Sequence, residues 1–256
     1  MFIPRVIPTL LLKNNGLVKT IKFKNEKYIG DPINAVKIFN EKEVDEIIFL
    51  DINASKIEQQ PNFDMLERIS SECFMPLAYG GGIKTIEQVK KILRIGVEKV
   101  IINSAAINNF NFIKDIINVV GSQSVIISID IKKSIFGKYK VFSYLLNKNI
   151  KIELMELLEI VNQVGVGEVF INSVDRDGMM NGYDIELLKL VSSSINMPLV
   201  ACGGASNFNH LKDGLKLGGA NAVSAGSMFV YHGKHNAVLI NYLNKEELDK
   251  INLNEK

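Results

Sequence analysis

Several ingredients are scarce in this 256-residue chain, and each scarcity excludes something. There are two cysteines, Cys73 and Cys202, too few for a disulfide framework, which predicts a protein suited to a reducing cytoplasm. Neither sign of charge dominates. Thirty Lys and Arg face 28 Asp and Glu, and the net +2 gives no electrostatic footing for nucleic acid or an acidic membrane surface. Long apolar runs are missing as well. The stretch from Val6 to Leu12 is too short to span a bilayer and contains Pro8. Arg5 precedes it but no small-residue cleavage site follows, so neither a membrane span nor a signal peptide is expected. His210, His232 and His235 show no ligand spacing with cysteines or acids, so no metal and no cofactor is expected. No linker rich in Pro, Gly or Ser divides the chain, which predicts one domain over residues 1–256.

What is present is a 47% hydrophobic, 23% charged chain of ordinary globular character, at a length common among α/β barrels. Short runs rich in Ile and Val alternate with longer amphipathic stretches. The runs are Pro4–Leu12, Asp45–Asp51, Met75–Tyr79, Glu98–Asn103, Ser124–Asp130, Glu168–Ser173, Met197–Cys202 and Ala220–Ala225. Most are continuously apolar, as parallel strands covered on both faces are. Helix candidates between them include Pro32–Glu43, Thr85–Ile95, Ile152–Val164, Asp184–Ser194 and Phe208–Leu217, several opened by a cap or a proline. Residues Lys132–Asn149 read as a hairpin insert after the fifth strand. Eight strand–helix alternations predict a (β/α)8 barrel, a TIM barrel, with a doubly wound open sheet as the alternative.

The chain also repeats itself. Met75-Pro76-Leu77 leading to Gly80-Gly81-Gly82 recurs as Met197-Pro198-Leu199 leading to Gly203-Gly204, 122 positions on. Ile102-Asn103-Ser104 has its counterpart in Ala225-Gly226-Ser227, and Glu46-Ile47 in Glu168-Val169. Several matches at nearly one spacing read as two half-barrels, about residues 1–120 and 121–245.

In such a barrel, ligands bind at the C-terminal strand ends. Glycine there lets backbone N–H groups approach a phosphate. Gly81 and Gly82 with Asn103 and Ser104 make one candidate cup, and Gly203 and Gly204 with Gly226 and Ser227 a second. Two cups imply an elongated ligand with a phosphate at each end; the bland alternative is tight turns. Asp51, Asp130 and the turn Asp175-Arg176-Asp177-Gly178 place carboxylates at strand ends, with Asp130 the first candidate general acid or base. Four charges fall at strand beginnings instead: Arg5, Glu46, Lys99 and Glu168. They fit either a salt-bridged ring across the barrel bottom or ordinary flanking surface charges.

Together these residues resemble the cyclase subunit of imidazole glycerol phosphate synthase, the HisF family of histidine biosynthesis. The likeness runs from Arg5 to about Phe229 and is most specific in Phe49-Leu50-Asp51-Ile52-Asn53-Ala54-Ser55, Tyr79-Gly80-Gly81-Gly82-Ile83, Gly121-Ser122-Gln123-Ser124 and Ser173-Val174-Asp175-Arg176-Asp177-Gly178. The resemblance implies a bis-phosphate ligand bound by residues including Lys19 and Asp51. It also implies a glutaminase (HisH-like) partner at the N-terminal face, with Arg5, Glu46, Lys99 and Glu168 as a gate for ammonia. Of the two aspartates the family uses as acid and base, Asp130 matches one, and Leu11 stands where the other is expected. Asn172 and Cys202 replace an expected threonine and serine. An intact gate beside half an acid/base pair is similar to the second-copy HisF proteins of acetamidino-sugar formation, in which ammonia passes to a separate sugar-amidating enzyme.

Overall fold

The computed structural model describes residues 3–252. In chain order the elements are β1 (Arg5–Lys13), β2 (Gly16–Ile21), β3 (Lys24–Gly30), α1 (Pro32–Glu41), β4 (Ile47–Asp51), α2 (Phe63–Glu72), β5 (Leu77–Gly80), α3 (Ile86–Ile95), β6 (Lys99–Ile102), α4 (Ser104–Asn108), α5 (Phe110–Val120), β7 (Val125–Lys133), β8 (Tyr139–Ser143), β9 (Lys148–Asn149), α6 (Leu154–Val164), β10 (Glu168–Ser173), α7 (Ile185–Ser192), β11 (Leu199–Cys202), α8 (Phe208–Lys216), β12 (Ala222–Ala225), α9 (Ser227–Val230), β13 (Tyr231–His232), β14 (Ala237–Val238) and α10 (Lys245–Asn252).

Eight of the strands, β1, β4, β5, β6, β7, β10, β11 and β12, pair parallel in that order, and β12 returns to β1. The sheet therefore closes, and the architecture is the (β/α)8 barrel that the eight apolar runs predict. Closure excludes the open doubly wound sheet. Alternate side chains explain why the runs are apolar throughout. In β10, Phe170 faces the barrel interior while Val169 and Ile171 pack outward against the helices. Helix starts follow the cap signals. Asp31, Thr85 and Asp184 each accept a hydrogen bond from a first-turn backbone N–H, of Asn34, Gln88 and Leu187 respectively. No described helix is long and apolar enough to cross a membrane.

Two antiparallel extensions rise from the barrel rim. The first, β1–β2–β3, has no counterpart for β2 and β3 among the eight apolar runs. Its turn is made by Lys22 and Phe23, both at positive φ (51° and 62°), without the Asn-Gly or Gly pair that flags such a turn. The second is the expected insert after the fifth strand. Here β7 itself runs on past Asp130 to Lys133 and pairs with β8, Asp130 opposite Phe142.

Candidate functional site

At the N-terminal strand ends, Arg5, Glu46, Lys99 and Glu168 close into a ring. Arg5 bonds Glu46 through Nη1 and Glu168 through Nη2 at 2.8 Å. Lys99 Nζ reaches Glu46 at 3.0 Å and Glu168 at 2.8 Å. Each base thus touches both acids, and Glu46 is only 2% exposed. Burial alone pulls the Arg5 guanidinium toward neutrality, but the two glutamates outweigh it and raise its pKa. Burial likewise opposes the charge on Glu168, yet the bonds to Arg5 and Lys99 hold its carboxyl below the usual range. Of the two readings the sequence leaves open, the four charges make the ring.

Above the ring the barrel interior is apolar. Ile7, Ile48, Ala78, Ile101, Ile126, Phe170, Val200 and Ala222, one from each strand, form a layer on which Leu50 and Cys202 pack. The first polar groups lie beyond it, at the C-terminal strand ends, where a cavity opens. That cavity is lined by Lys19, Asp51, Gly81, Gly82, Asn103, Ser104, Asp130, Asp177, Gly178, Gly203, Gly204, Gly226 and Ser227. All thirteen candidate ligand-site residues are therefore brought to one mouth.

The two glycine cups occupy corresponding places in the rim. Gly81 and Gly204 sit at φ +129° and +108°, and a Cβ on either would stand 2.5 Å from Asp51 O or 2.2 Å from Gly182 O. Only glycine fits these close approaches. At the second cup Lys19 comes in from β2, buried, its Nζ 2.4 Å from where a Gly226 Cβ would lie. This puts a cation beside the Gly226–Ser227 backbone, an arrangement that receives an anion. At the first cup Ser104 Oγ bonds Asn103 Oδ1 at 3.2 Å, and Asn103 Nδ2 donates to Ser128 O at 3.0 Å and Asp130 Oδ2 at 3.1 Å. Asp51 Oδ1 accepts from the N–H groups of Asn53 (2.9 Å) and Ala54 (3.0 Å), which shapes the rim loop behind Gly81.

Asp130 is buried in the cavity wall. Burial pushes its carboxyl up to about 7, the Asn103 bond opposes that, and the negative charge of Asp177 adds to it. A buried carboxyl titrating near neutrality is poised for proton transfer in either direction. Facing the same cavity from β1 is Leu11, in register with Leu50 of β4 and Val18 of β2.

A family model described as histidine biosynthesis protein matches residues 5–236, the whole barrel with its ring and mouth. The chain belongs to the histidine biosynthesis protein family. Among its relatives, a Pseudomonas aeruginosa protein provisionally named imidazole glycerol phosphate synthase subunit hisF2 is 51% identical over 245 residues, 96% of this chain and 98% of its own. A Leptospira interrogans protein provisionally named as the HisF subunit is 49% identical over 252 residues, 98% of this chain and 99% of its own. The imidazole glycerol phosphate synthase subunit HisF of Alkaliphilus metalliredigens is 38% identical over 232 residues, covering 91% and 92%.

Within this barrel, several interactions at the mouth escape a sequence-only reading. Asp177 is not simply a rim carboxylate: its Oδ2 accepts from Thr20 Oγ1 at 2.7 Å and from the Phe23 N–H at 3.2 Å, so it latches the β2–β3 hairpin over the opening. Phe23 then meets Tyr144 edge-on at 5.5 Å, joining the two hairpins, and Lys56 Nζ lies 3.8 Å from the Tyr144 ring centre. Thr20, Phe23, Tyr144 and Lys56 have no local motif; only the turn geometry brings them in. Cys202 lines the cavity, and burial, with Asp177 nearby, pushes its thiol up to about 12, which leaves it protonated and unreactive at neutral pH. Among the described residues no His, Cys, Asp and Glu group has metal-site spacing.

Proposed function

We propose that this barrel conducts ammonia. A glutaminase subunit docks at the N-terminal face, ammonia passes the Arg5–Glu46–Lys99–Glu168 ring, crosses the apolar lumen and leaves at the mouth, where a separate enzyme uses it to amidinate a surface-polysaccharide sugar. One observation carries the reading: the charged ring is complete while Leu11 stands on β1 where a second acid/base aspartate, partner to Asp130, is expected. A four-charge ring with both acids buried is a weak source of stability, since desolvation offsets much of the attraction, and its retention supports a purpose beyond folding. The apolar layer supports it too: a route through it would reject ammonium, a bare charge, and admit neutral ammonia. Docking at the lower face is supported by apolar side chains left bare around it, Ile3 at 64% and Phe74 at 84% exposure. The paired cups support a single barrel assembled from half-barrels of about residues 1–120 and 121–245, still able to hold a small phosphorylated ligand. The reading places the chain in the cytoplasm, and the scarcity of cysteine supports it.

A second reading, an authentic cyclase of histidine biosynthesis, is favoured by Asp130 alone. The test is turnover of N′-ribulosyl formimino aminoimidazole carboxamide ribonucleotide with ammonium salt. Lacking one acid/base group, the chain is expected to turn over on the order of 10²- to 10⁴-fold more slowly than a two-aspartate member, and Leu11→Asp to recover part of the loss. Wild-type turnover at the full rate would sink the conduit-only reading. Failure to bind any glutaminase would leave a phosphosugar-binding scaffold barrel without ammonia traffic.

A further inference from the structure

We propose that the hairpin insert over residues 132–151 is a docking surface for the ammonia-accepting enzyme, a protein whose matching face is acidic around an apolar pocket. This rests on the ammonia-conducting reading and adds to it the surface that seats the acceptor over the mouth.

The insert is built to stand clear of the barrel. Strand β7 carries Asp130 in the cavity wall and then runs on to Lys133, which at about 3.3 Å per residue lifts the turn roughly 10 Å past Asp130. The turn is closed tightly. Gly137 N–H donates to Ser134 O at 2.9 Å, Ser134 N–H to Lys138 O at 2.8 Å and Lys138 N–H to Ser134 Oγ at 3.1 Å, with Gly137 at φ +78°. At its crest stand Ile135 and Phe136, 94% and 84% exposed, where turn chemistry favours Asp, Asn, Pro or Gly. Neither packs on a core cluster, so folding gains little from them. The loop after β10 braces the stem: Lys133 N–H donates to Asp175 Oδ2 at 2.7 Å and Tyr139 Oη to Asp184 Oδ1 at 2.8 Å. A braced turn presents its apolar pair to a partner at little cost in entropy. The β8–β9 turn, at the other end of the insert, reaches the mouth itself. Leu145 lines the cavity and Leu146 beside it is exposed, as are Ile21, Ile57 and Met179 on three other rim segments.

Charge names the partner. Residues 132–151 hold six lysines and no acid, leaving 24 Lys and Arg against 28 Asp and Glu in the rest of the chain. Lys132 and Lys140 stand directly opposite each other across β7 and β8, a like-charge pairing that costs the sheet stability. Glu186 and Glu153 answer Lys133 and Lys140, whereas Lys138, Lys148 and Lys151 are exposed and make no ion pair among the described residues. An aromatic and an aliphatic anchor beside unanswered cations fit an acidic protein face with a pocket. Position favours that occupant over an anionic bilayer. A body seated on both turns covers the exit, and lipid headgroups there would leave the ammonia in water with no acceptor.

The test passes the barrel–glutaminase complex over immobilised amidating enzyme. Ile135→Ser with Phe136→Ser is expected to weaken binding on the order of 30-fold, the loss that truncating an interface anchor gives. Lys138→Glu with Lys148→Glu and Lys151→Glu should weaken it as well and flatten its salt dependence. All five side chains are exposed, and unchanged melting temperature and glutaminase activity confirm that the variants fold. No binding by wild type, or equal binding by wild type and both variants, overturns the proposal. Two further results also overturn it, each when the Ile135/Phe136 variant loses the binding in question and keeps its hold on the enzyme. Binding to vesicles of phosphatidylcholine and phosphatidylglycerol in equal parts would assign the insert to a bilayer, and a dimer in sedimentation would assign it to a second copy. Variant-sensitive binding with product that carries only bulk nitrogen defeats the conduit reading and leaves the docking surface standing. Glutamine nitrogen delivered with variant-insensitive binding does the reverse.

Discussion

At the scale of single residues, Asp130 ties the chemistry of the mouth to the stability of the chain. Its folded pKa of about 7 lies above the ordinary 3.8, so the folded state keeps a proton that the unfolded state gives up. The contribution to stability is therefore unfavourable above that window and falls away as pH drops through it. Replacing Asp130 by Asn removes the titration and leaves an amide oxygen for Asn103 to bond. We expect Asp130→Asn to be more stable than wild type at pH 8, on the order of a few kcal/mol, and to show no such gain at pH 4. Urea unfolding across that range measures it, and parallel pH profiles for the two proteins would show that Asp130 ionises freely. Leu11 is the opposite case, a residue whose meaning is legible in one dimension. The sequence shows an apolar side chain at a strand end, and the structure adds that it faces the Asp130 cavity.

At the scale of elements, the two rim hairpins decide how open the mouth is. Asp177 does two separable things: it holds the β2–β3 hairpin through Thr20 and Phe23, and its charge raises the Asp130 pKa. Asp177→Asn keeps an acceptor for Thr20 and Phe23 but loses the charge, so the Asp130 midpoint should fall while the hairpin stays protected. Asp177→Ala loses both, and hydrogen exchange over residues 16–30 should speed up. Identical exchange in Asp177→Ala and wild type would mean that the hairpin is held by Phe23 and Tyr144 instead. The first of these hairpins also marks the limit of what the sequence discloses. The eight strands were legible because parallel strands buried on both faces must be apolar, and Glu168–Ser173 matches its run residue for residue. The β2–β3 hairpin was not legible, because Lys22 and Phe23 adopt positive φ without the residues that normally announce it. The glycines and acids of the mouth were found from strand-end position alone. The bonds of Asp177 to Thr20 and Phe23 span more than 150 positions, and no local pattern encodes them.

At the scale of the whole molecule, the barrel has two differently built ends separated by an apolar core layer. Its near-zero net charge conceals a concentrated placement, with two acids and two bases locked together at one end and acids and a buried lysine at the other. The proposed conduction requires that ammonia enter from a partner below and not mix with solvent. The most direct measurement supplies the barrel, its glutaminase and the amidating enzyme with glutamine labelled with nitrogen-15 in the side-chain amide, in the presence of excess unlabelled ammonium. The isotope content of the amidinated sugar is then read by mass spectrometry. Conduction through the ring and lumen predicts product carrying mostly nitrogen-15, while product that mirrors the unlabelled bulk ammonium would contradict it.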